Sequence, residues 1–408
     1  MRVAIVHNFY REPGGEDAVV RQETEALKKN GQQVSSFSVY NDDIKGIIST
    51  LWTGLSVTYN PIARWQLDVF LRKVRPDVVH VHNFFPQLSP SVFYACKALN
   101  IPSVMTLHNF RVLCPTCFLY HDGHIRERSL DHSCLWTIRR KTYRNSLVGT
   151  AAVAAMVEVH KLVKTWSWAV DRYIALTSFA RNKFIRGGLP ADRIVVKGNA
   201  TSPINTSKSG STRHGALFVG RLSEEKGISV LLNAWRNVDY PLTIIGKGPL
   251  QRKVLDASGT NIRYLGYLSS EGVRAQMLEA SFLVLPSVWY EMFPMTAVEA
   301  FGCALPVLCS DAPGLSEIIV DHLNGVQFRR NDTCSLAETV QWASSHPNEM
   351  REYGTNAYRT HAQKYTPEIN YDALMKIYAD LISARRENLV GQGSRLRWWS
   401  VSRPSVKG

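Results

Sequence analysis

The sequence predicts an α/β protein built from two doubly wound parallel sheets. Three observations carry that expectation. Short apolar runs recur along the chain, separated by stretches of helical periodicity, which is how successive βα units read. Glycine-rich turns follow several of these runs, as in folds whose backbone closely approaches a ligand. Near the middle, residues 198–215 read GNATSPINTSKSGSTRHG, small and polar throughout, and separate two such series. A chain of 408 residues suits about two domains, and 45% hydrophobic with 20% charged residues is the composition of a globular protein with a real core. The expected boundaries are an N-terminal domain over 1–198, a linker over 199–215, a second domain over 216–365, a helix over 366–386 and a basic tail over 387–408.

The first series opens with a strand at Val3–Val6, the turn Pro13-Gly14-Gly15-Glu16, and a helix from about Asp17 to Asn30 that Gly31 ends. The turn suits a nucleotide-binding unit, with a plain βα turn as the alternative. GGED is not G-x-G-x-x-G, which argues against a dinucleotide enzyme. Further strands are expected at Gln33–Val39, Val78–Val81, Ser103–Leu107, Tyr173–Leu176 and Ile194–Val196. Three of the strands end in His-Asn: His7-Asn8, His82-Asn83 and His108-Asn109. If those strands are neighbours, the pairs crowd one rim. Each then caps its own strand end, or the three histidines share a metal, although no acidic residues are evident to hold their other ring nitrogens.

The second series has strands at Ala216–Val219, Leu242–Ile245, Ile262–Leu265, Phe282–Leu285 and Pro306–Cys309. The first runs into GRLSEEKG, where Arg221 at the strand end and Lys226 at the next helix start can both reach a diphosphate. The fourth leads into a loop and then a helix that Pro294 begins and Gly302 stops. Glu291 lies in that loop and Glu299 two turns along the helix, in the spacing E-x7-E. Free amides of Met295 and Thr296 at the helix N-terminus would form an anion site between the carboxylates. That row suits a sugar nucleotide: amides for the diphosphate, Glu299 for ribose hydroxyls, Glu291 for the reacting sugar. Thr366 as N-cap and Pro367 at the first helical position start a last helix, expected to reach about Arg385.

The segment EMFPMTAVEAFGCALPV closely resembles the E-x7-E region of the retaining family 4 glycosyltransferases, which have the GT-B fold; Met292 stands where many relatives have glycine. The likeness covers most of the chain, strongest over 215–330 and weaker over 20–100. It implies two Rossmann-like domains facing across a cleft, and transfer of a sugar from a nucleotide-sugar donor to a glycan or lipid-linked acceptor with retention at the anomeric carbon. The roles it implies are catalytic for Glu291 and for His108, which matches a histidine touching the donor sugar. Donor binding falls to Gly14, Gly15, Arg221, Lys226, Tyr267, Leu268, Phe293, Pro294, Met295, Thr296 and Glu299. Gly266-Tyr267-Leu268 matches the turn whose backbone reads the base, and the Cys114-Pro115 segment matches an acceptor loop. No D-x-D occurs, so neither metal nor cofactor is expected; Arg221, Lys226 and the helix N-terminus would stabilise the leaving diphosphate. A nucleotide-sugar epimerase on the same fold and a non-enzymatic binding protein with a basic surface are the alternatives.

A formal net charge of +14 points to an anionic partner. No arginine-rich repeat, zinc-finger spacing or RNA-binding signature supports nucleic acid. Ile48, Leu51, Trp52, Leu55, Tyr59, Trp65 and Phe70, with Arg64, Arg72, Lys73 and Arg75, read either as ordinary helices with solvated faces or as a surface for an anionic membrane. Trp136 beside Arg139, Arg140, Lys141 and Arg144 repeats the pattern, as does the tail with Leu396, Trp398 and Trp399. Seven scattered cysteines, no signal peptide in residues 1–10 and no apolar run of spanning length imply a cytoplasmic protein, peripheral on the inner face of the plasma membrane. Cys114, Cys117 and Cys134 with His121, His124 and His132 suit zinc by type but lack a paired second half.

Overall fold

A computed structural model describes residues 1–11, 14–202 and 213–401, and the side chains of all of these except 47, 48 and 386–401. The expected strands form two six-stranded parallel sheets. The first comprises β1 (Arg2–Phe9), β2 (Gln33–Tyr40), β3 (Val78–Asn83) and β4 (Ser103–Leu107). After a two-stranded hairpin, β5 (Tyr120–His121) and β6 (His124–Ile125), it adds β7 (Arg172–Ala175) and β8 (Ile194–Val196), in the order β2-β1-β3-β4-β7-β8. The second sheet holds β9 (Ala216–Val219), β10 (Leu242–Ile245), β11 (Ile262–Tyr264), β12 (Phe282–Leu285), β13 (Val307–Ser310) and β14 (Gly325–Phe328). Its order is β11-β10-β9-β12-β13-β14. Residue contacts group the chain into two compact units: Met1–Thr106 with His160–Ile174 and the chain from Tyr371, and Leu107–Val159 with Ala175–Asn370.

Burial explains the patterning. β3 is buried at all six positions, as a parallel strand covered on both faces must be, whereas edge strand β2 is buried at none. In the second sheet the faces alternate with period two. Ala216, Phe218, Phe282 and Val284 pack with Leu231 and Trp235; Leu217, Leu283 and Leu285 pack with Ala297, Val298 and Phe301.

Three elements differ from the sequence expectation. β14 starts on Gly325, a poor strand former whose close approach to Val307 nevertheless leaves no room for a side chain. β1 runs one residue past His7-Asn8, to Phe9, whereas β3 ends on His82-Asn83 as expected. The last helix spans Pro367–Val401 and does not end near Arg385. The expected tail residues Leu396, Trp398 and Trp399 lie outside the described side chains.

Candidate active site

In an open parallel sheet, ligands bind beyond the carboxyl ends of the strands where the strand order reverses. In the second sheet that point is between β9 and β12, which pair directly through Ala216–Phe282 and Leu217–Leu283. The β9 end carries Arg221 and Lys226; the β12 end carries the loop to Pro294. Lys226 sits in a short 3-10 turn, Glu224–Lys226, that ends at Gly227 with φ +75°. A Cβ on Gly227 would come within 1.8 Å of the Pro286 carbonyl oxygen, so glycine is what lets the two loops meet. Gly314, with φ +92°, packs on the other loop in the same way, its virtual Cβ 1.8 Å from the Glu291 carbonyl oxygen.

Between these supports lies Glu291, only 6% exposed. Its Oε1 accepts hydrogen bonds from Lys226 Nζ at 2.7 Å, Ser287 Oγ at 2.6 Å and Trp289 Nε1 at 3.0 Å. Lys226 Nζ also stands over the Trp289 ring, 5.1 Å from its centroid. Burial pushes the Glu291 carboxyl up. The Lys226 charge and the hydrogen bonds from Lys226, Ser287 and Trp289 outweigh that, so it titrates below the ordinary glutamate value and is ionised at neutral pH. All three donors meet Oε1, and none of these bonds engages Oε2.

The helix that follows spans Met295–Gly302 with Pro294 as its cap. Here one expectation is corrected. The Met295 amide is not free; it donates to the Phe293 carbonyl at 3.0 Å, because the chain turns tightly at Pro294. Thr296 remains half-buried at the helix start. Phe293 and Pro294 are buried, Phe293 against Tyr365 and against Gly198, where even a Cβ would collide with its ring. Glu299 is half-buried, and burial raises its carboxyl above the ordinary value, with Arg274 opposing. Arg221 is exposed. Tyr267 is 71% exposed with Lys247 Nζ 5.4 Å from its ring centroid, and Leu268 beside it is half-buried.

The segment Phe282–Ser310 is therefore strand, loop, helix and strand, with a cation-bridged carboxylate at the reversal point. Two family descriptions tile the chain around it: "Glycosyltransferase Family 4" over residues 13–202 and "Glycosyl transferases group 1" over 204–360. The chain belongs to the group 1 glycosyltransferases. An uncharacterized glycosyltransferase of Methanocaldococcus jannaschii is 26% identical, covering 75% of this chain and 76% of the relative. The phosphatidyl-myo-inositol mannosyltransferase of Mycobacterium leprae is 24% identical over 93% of this chain and 96% of its own. Among solved structures, Anabaena HepE in complex with UDP-glucose matches with a TM-score of 0.66 at 14% identity, covering 94% of this chain and all of that one. The two parallel sheets and these neighbours make the fold GT-B. This glycosyltransferase acts in the biosynthesis of polysaccharides, lipids or other glycans.

The sequence did not point to three features of the glycosyltransferase's site. Ser287 and Trp289 hold Glu291, and Trp289 also takes an edge contact from Phe118 at 4.4 Å, which ties the Cys114–Cys117 segment to the glutamate loop. Tyr290 is gripped by Phe179 and Lys183, and burial followed by the Glu127 hydrogen bond pushes its phenol up to about 12. Gly314 came without any signal beyond an isolated glycine after a proline. His108 follows β4 half-buried, and Asn109 caps the short turn Phe110–Val112. In the first unit, Gly14 caps the helix Gly15–Lys29; its amide donates to Asp17 Oδ2 at 3.2 Å, and Asp17 Oδ1 lies 2.8 Å from His7 Nε2.

Two metal alternatives left open by the sequence find no support. Among the described residues, only Glu23, His80 and His82 group with the spacing of metal ligands. Cys114, Cys117 and Cys134 are buried thiols that do not form such a group, and neither do His7, His82 and His108. The asparagines do cap: Asn83 Nδ2 donates to the Asn8 carbonyl, and Asn83 Oδ1 accepts from the Phe85 amide.

Proposed function

We propose that the protein moves a sugar from a nucleotide-sugar donor onto a glycan or lipid-linked acceptor, with retention at the anomeric carbon and without a metal. The observation that carries this reading is the buried Glu291 carboxylate held by Lys226 beside exposed Arg221, at the reversal point of the second sheet. A diphosphate arriving there meets two cations on one loop. Lys226 turns from Glu291 toward the phosphates, and Arg221 completes the charge balance that a divalent ion supplies elsewhere. Glu291, freed of its cation, faces the sugar as positive charge develops at its anomeric carbon. Glu299 accepts from ribose hydroxyls, the Tyr267-Leu268 turn takes the base, and Phe293, Pro294, Met295 and Thr296 shape the diphosphate pocket. His108 contacts the donor sugar, and the exposed Gly14-Gly15 turn offers backbone to substrate. The UDP-glucose bound by HepE supports a nucleotide-sugar donor, and the mannosyltransferase relative, named for phosphatidyl-myo-inositol, supports a lipid-linked acceptor.

The acceptor side adds a surface. In the helix Gly46–Ser56, Leu51, Trp52 and Leu55 are exposed; in the helix Pro61–Val74, Ile62, Trp65 and Val69 are exposed, three and four residues apart on one stripe. Exposed Arg72, Lys73 and Arg75 follow. This is the pairing of apolar insertion with cations that suits an anionic lipid surface. Trp136 contributes less than its sequence suggests, being half-buried with Nε1 donating to Ser129. No helix among the described residues is long and apolar enough to cross a membrane.

The deciding experiment presents the full chain with a panel of nucleotide sugars and lipid-linked or glycan acceptors in excess chelator. Nucleoside diphosphate should appear only when acceptor is added, and the product should keep the donor's anomeric configuration by NMR. Interconversion of the donor sugar without acceptor would mean an epimerase. An inverted product or an absolute need for magnesium or manganese would overturn the retaining, metal-free chemistry. Binding to anionic vesicles should weaken with salt and fall when Trp52 and Trp65 are replaced by serine; protein that stays in the supernatant at low salt refutes the membrane surface.

A further inference from the structure

We propose that Glu23, His80 and His82 form a closed structural site for a divalent transition metal of the zinc type, fastening the C-terminal helix and the helix Gly15–Lys29 to the first sheet. The ligands come from the fold in an ordinary way. His80 and His82 are two apart on β3, so both rings project from the same face of the sheet. Glu23 reaches them from the third turn of the helix Gly15–Lys29, which packs on that face. Its Oε2 lies 3.6 Å from His82 Nε2 and 3.9 Å from His80 Nδ1, and the three ligand atoms fall within 4.8 Å of one another. Tetrahedral zinc with bonds of about 2.0–2.2 Å sets its ligands roughly 3.3–3.6 Å apart, so the cluster needs to close by about 1.5 Å at most.

The surroundings orient the ligands. Thr106 Oγ1 lies 2.7 Å from His80 Nε2. With the ring proton on Nε2 donated to that hydroxyl, Nδ1 keeps the lone pair that a metal would take, as a ligating histidine is usually held. Tyr378 of the helix Pro367–Val401 is fully buried, with its hydroxyl 2.7 Å from the same Nδ1. A metal at the cluster draws this oxygen in as the fourth ligand. Two imidazoles, a carboxylate and a phenol oxygen, with no thiolate, form a donor set suited to zinc and to cobalt(II) as its spectroscopic stand-in.

Charge points the same way. Glu23 is 5% exposed and has His80 and His82 in ion-pair range. A metal ion bound between them would offset the charge of this buried carboxylate. Protein surrounds the site, so it offers no open position to substrate. The ion enters as the chain folds and plays no part in sugar transfer.

The test uses the full chain, produced in zinc-supplemented medium, purified without chelator and analysed for metal by mass spectrometry. The expected content is about one zinc per chain in the wild type and under about a tenth in Glu23→Gln and His82→Ala. A Cys114→Ser, Cys117→Ser double variant should keep its zinc. Refolding wild type with cobalt(II) should give the visible absorption of a tetrahedral ion. If the two first-sheet variants do not fold, wild-type stoichiometry and the cobalt spectrum decide alone. Folded wild type with under about a tenth of a zinc and no cobalt bands overturns the proposal and leaves a proton-balanced network. Zinc lost from the cysteine variant overturns it too, by moving the metal to the Cys114 segment.

Discussion

Strand order reverses between β1 and β3 in the first sheet and between β9 and β12 in the second, yet the two rims hold different chemistry. At β9 and β12, Lys226 and exposed Arg221 come up on one loop, and a single buried carboxylate answers them. Among the described residues no carboxylate pairs with Arg221, although Glu224 and Glu225 share its loop and turn to Lys253 and Ser223, so the Arg221 charge is unspent. At β1 and β3 the polar groups are spent on one another. Asp17 takes His7 and the Gly14 amide, Asn8 takes Asn41 and the Gln87 amide, and Asn83 takes the Asn8 carbonyl. Strand order thus fixes where a ligand can sit, while unspent charge decides what it is. The second rim suits an anion, and the first is a shaped, largely neutral turn.

The largest effect that could break this comparison lies in the glycines. Gly227 and Gly314 have positive φ, and a Cβ on either would meet a backbone oxygen at 1.8 Å. Gly227→Ala and Gly314→Ala should each cost about 2–4 kcal/mol of stability, read as the urea midpoint at constant slope. Gly14 has φ −120°, and its virtual Cβ meets nothing within 4 Å. Gly14→Ala should cost within about 1 kcal/mol, mostly as a poorer cap, and any larger loss of activity then reports substrate approach. Equal destabilisation at all three positions would erase the distinction between the rims.

A smaller effect tests the unspent charge. Lys226→Ala and Glu299→Ala should each raise the Kd for a nucleoside diphosphate roughly 10- to 150-fold, the loss of one charge-assisted hydrogen bond at about 1.5–3 kcal/mol. Asp17→Asn, on the other rim, should leave that Kd unchanged. Calorimetry on folded variants checks both statements, and unchanged binding in Lys226→Ala and Glu299→Ala would remove the donor site from the second sheet.

The elements that a local pattern encodes were legible in advance. The strands Ser103–Leu107, Ile194–Val196, Ala216–Val219, Leu242–Ile245 and Phe282–Leu285 fall where apolar runs between turn residues put them. Glu291 and Lys226 were legible as charged residues set just beyond strand ends. Their bond to each other was not, because it joins residues 65 apart across the reversal point. Ser287 and Trp289 escaped because a serine and a tryptophan in a loop carry no spacing rule. The Met295 amide was misread because a helix start does not reveal whether the preceding turn folds back on it. The His-Asn pairs drew attention to strand ends, while the informative pattern was His80-x-His82 inside a strand, where period two puts both rings on one face. Glu23 could be matched to them only once the helix was packed on the sheet.

The finest test separates the two glutamates of E-x7-E, whose carboxyls shift in opposite directions. Burial and the Lys226 ion pair have competing effects on Glu291, and the ion pair with its hydrogen bonds wins, so the folded value is depressed. Glu291 therefore contributes stability that is fully present above the ordinary glutamate value and is lost as pH falls through the lower folded value. Burial raises Glu299, with only Arg274 opposing. Its cost is absent below the ordinary glutamate value and fully present once pH rises above the raised one. Glu291→Gln should thus destabilise the protein at pH 7, by about 1–3 kcal/mol from weakened hydrogen bonds to a charged acceptor. The deficit should narrow as wild type protonates in acid. Glu299→Gln should stabilise the protein slightly at pH 7, and its advantage should vanish on acidification. Urea midpoints measured between about pH 4 and 8 give both differences, free of any assay for activity. Differences of the same sign at pH 7 would show that the two carboxylates share one environment, and that Glu299 is held for stability and not kept for a ligand.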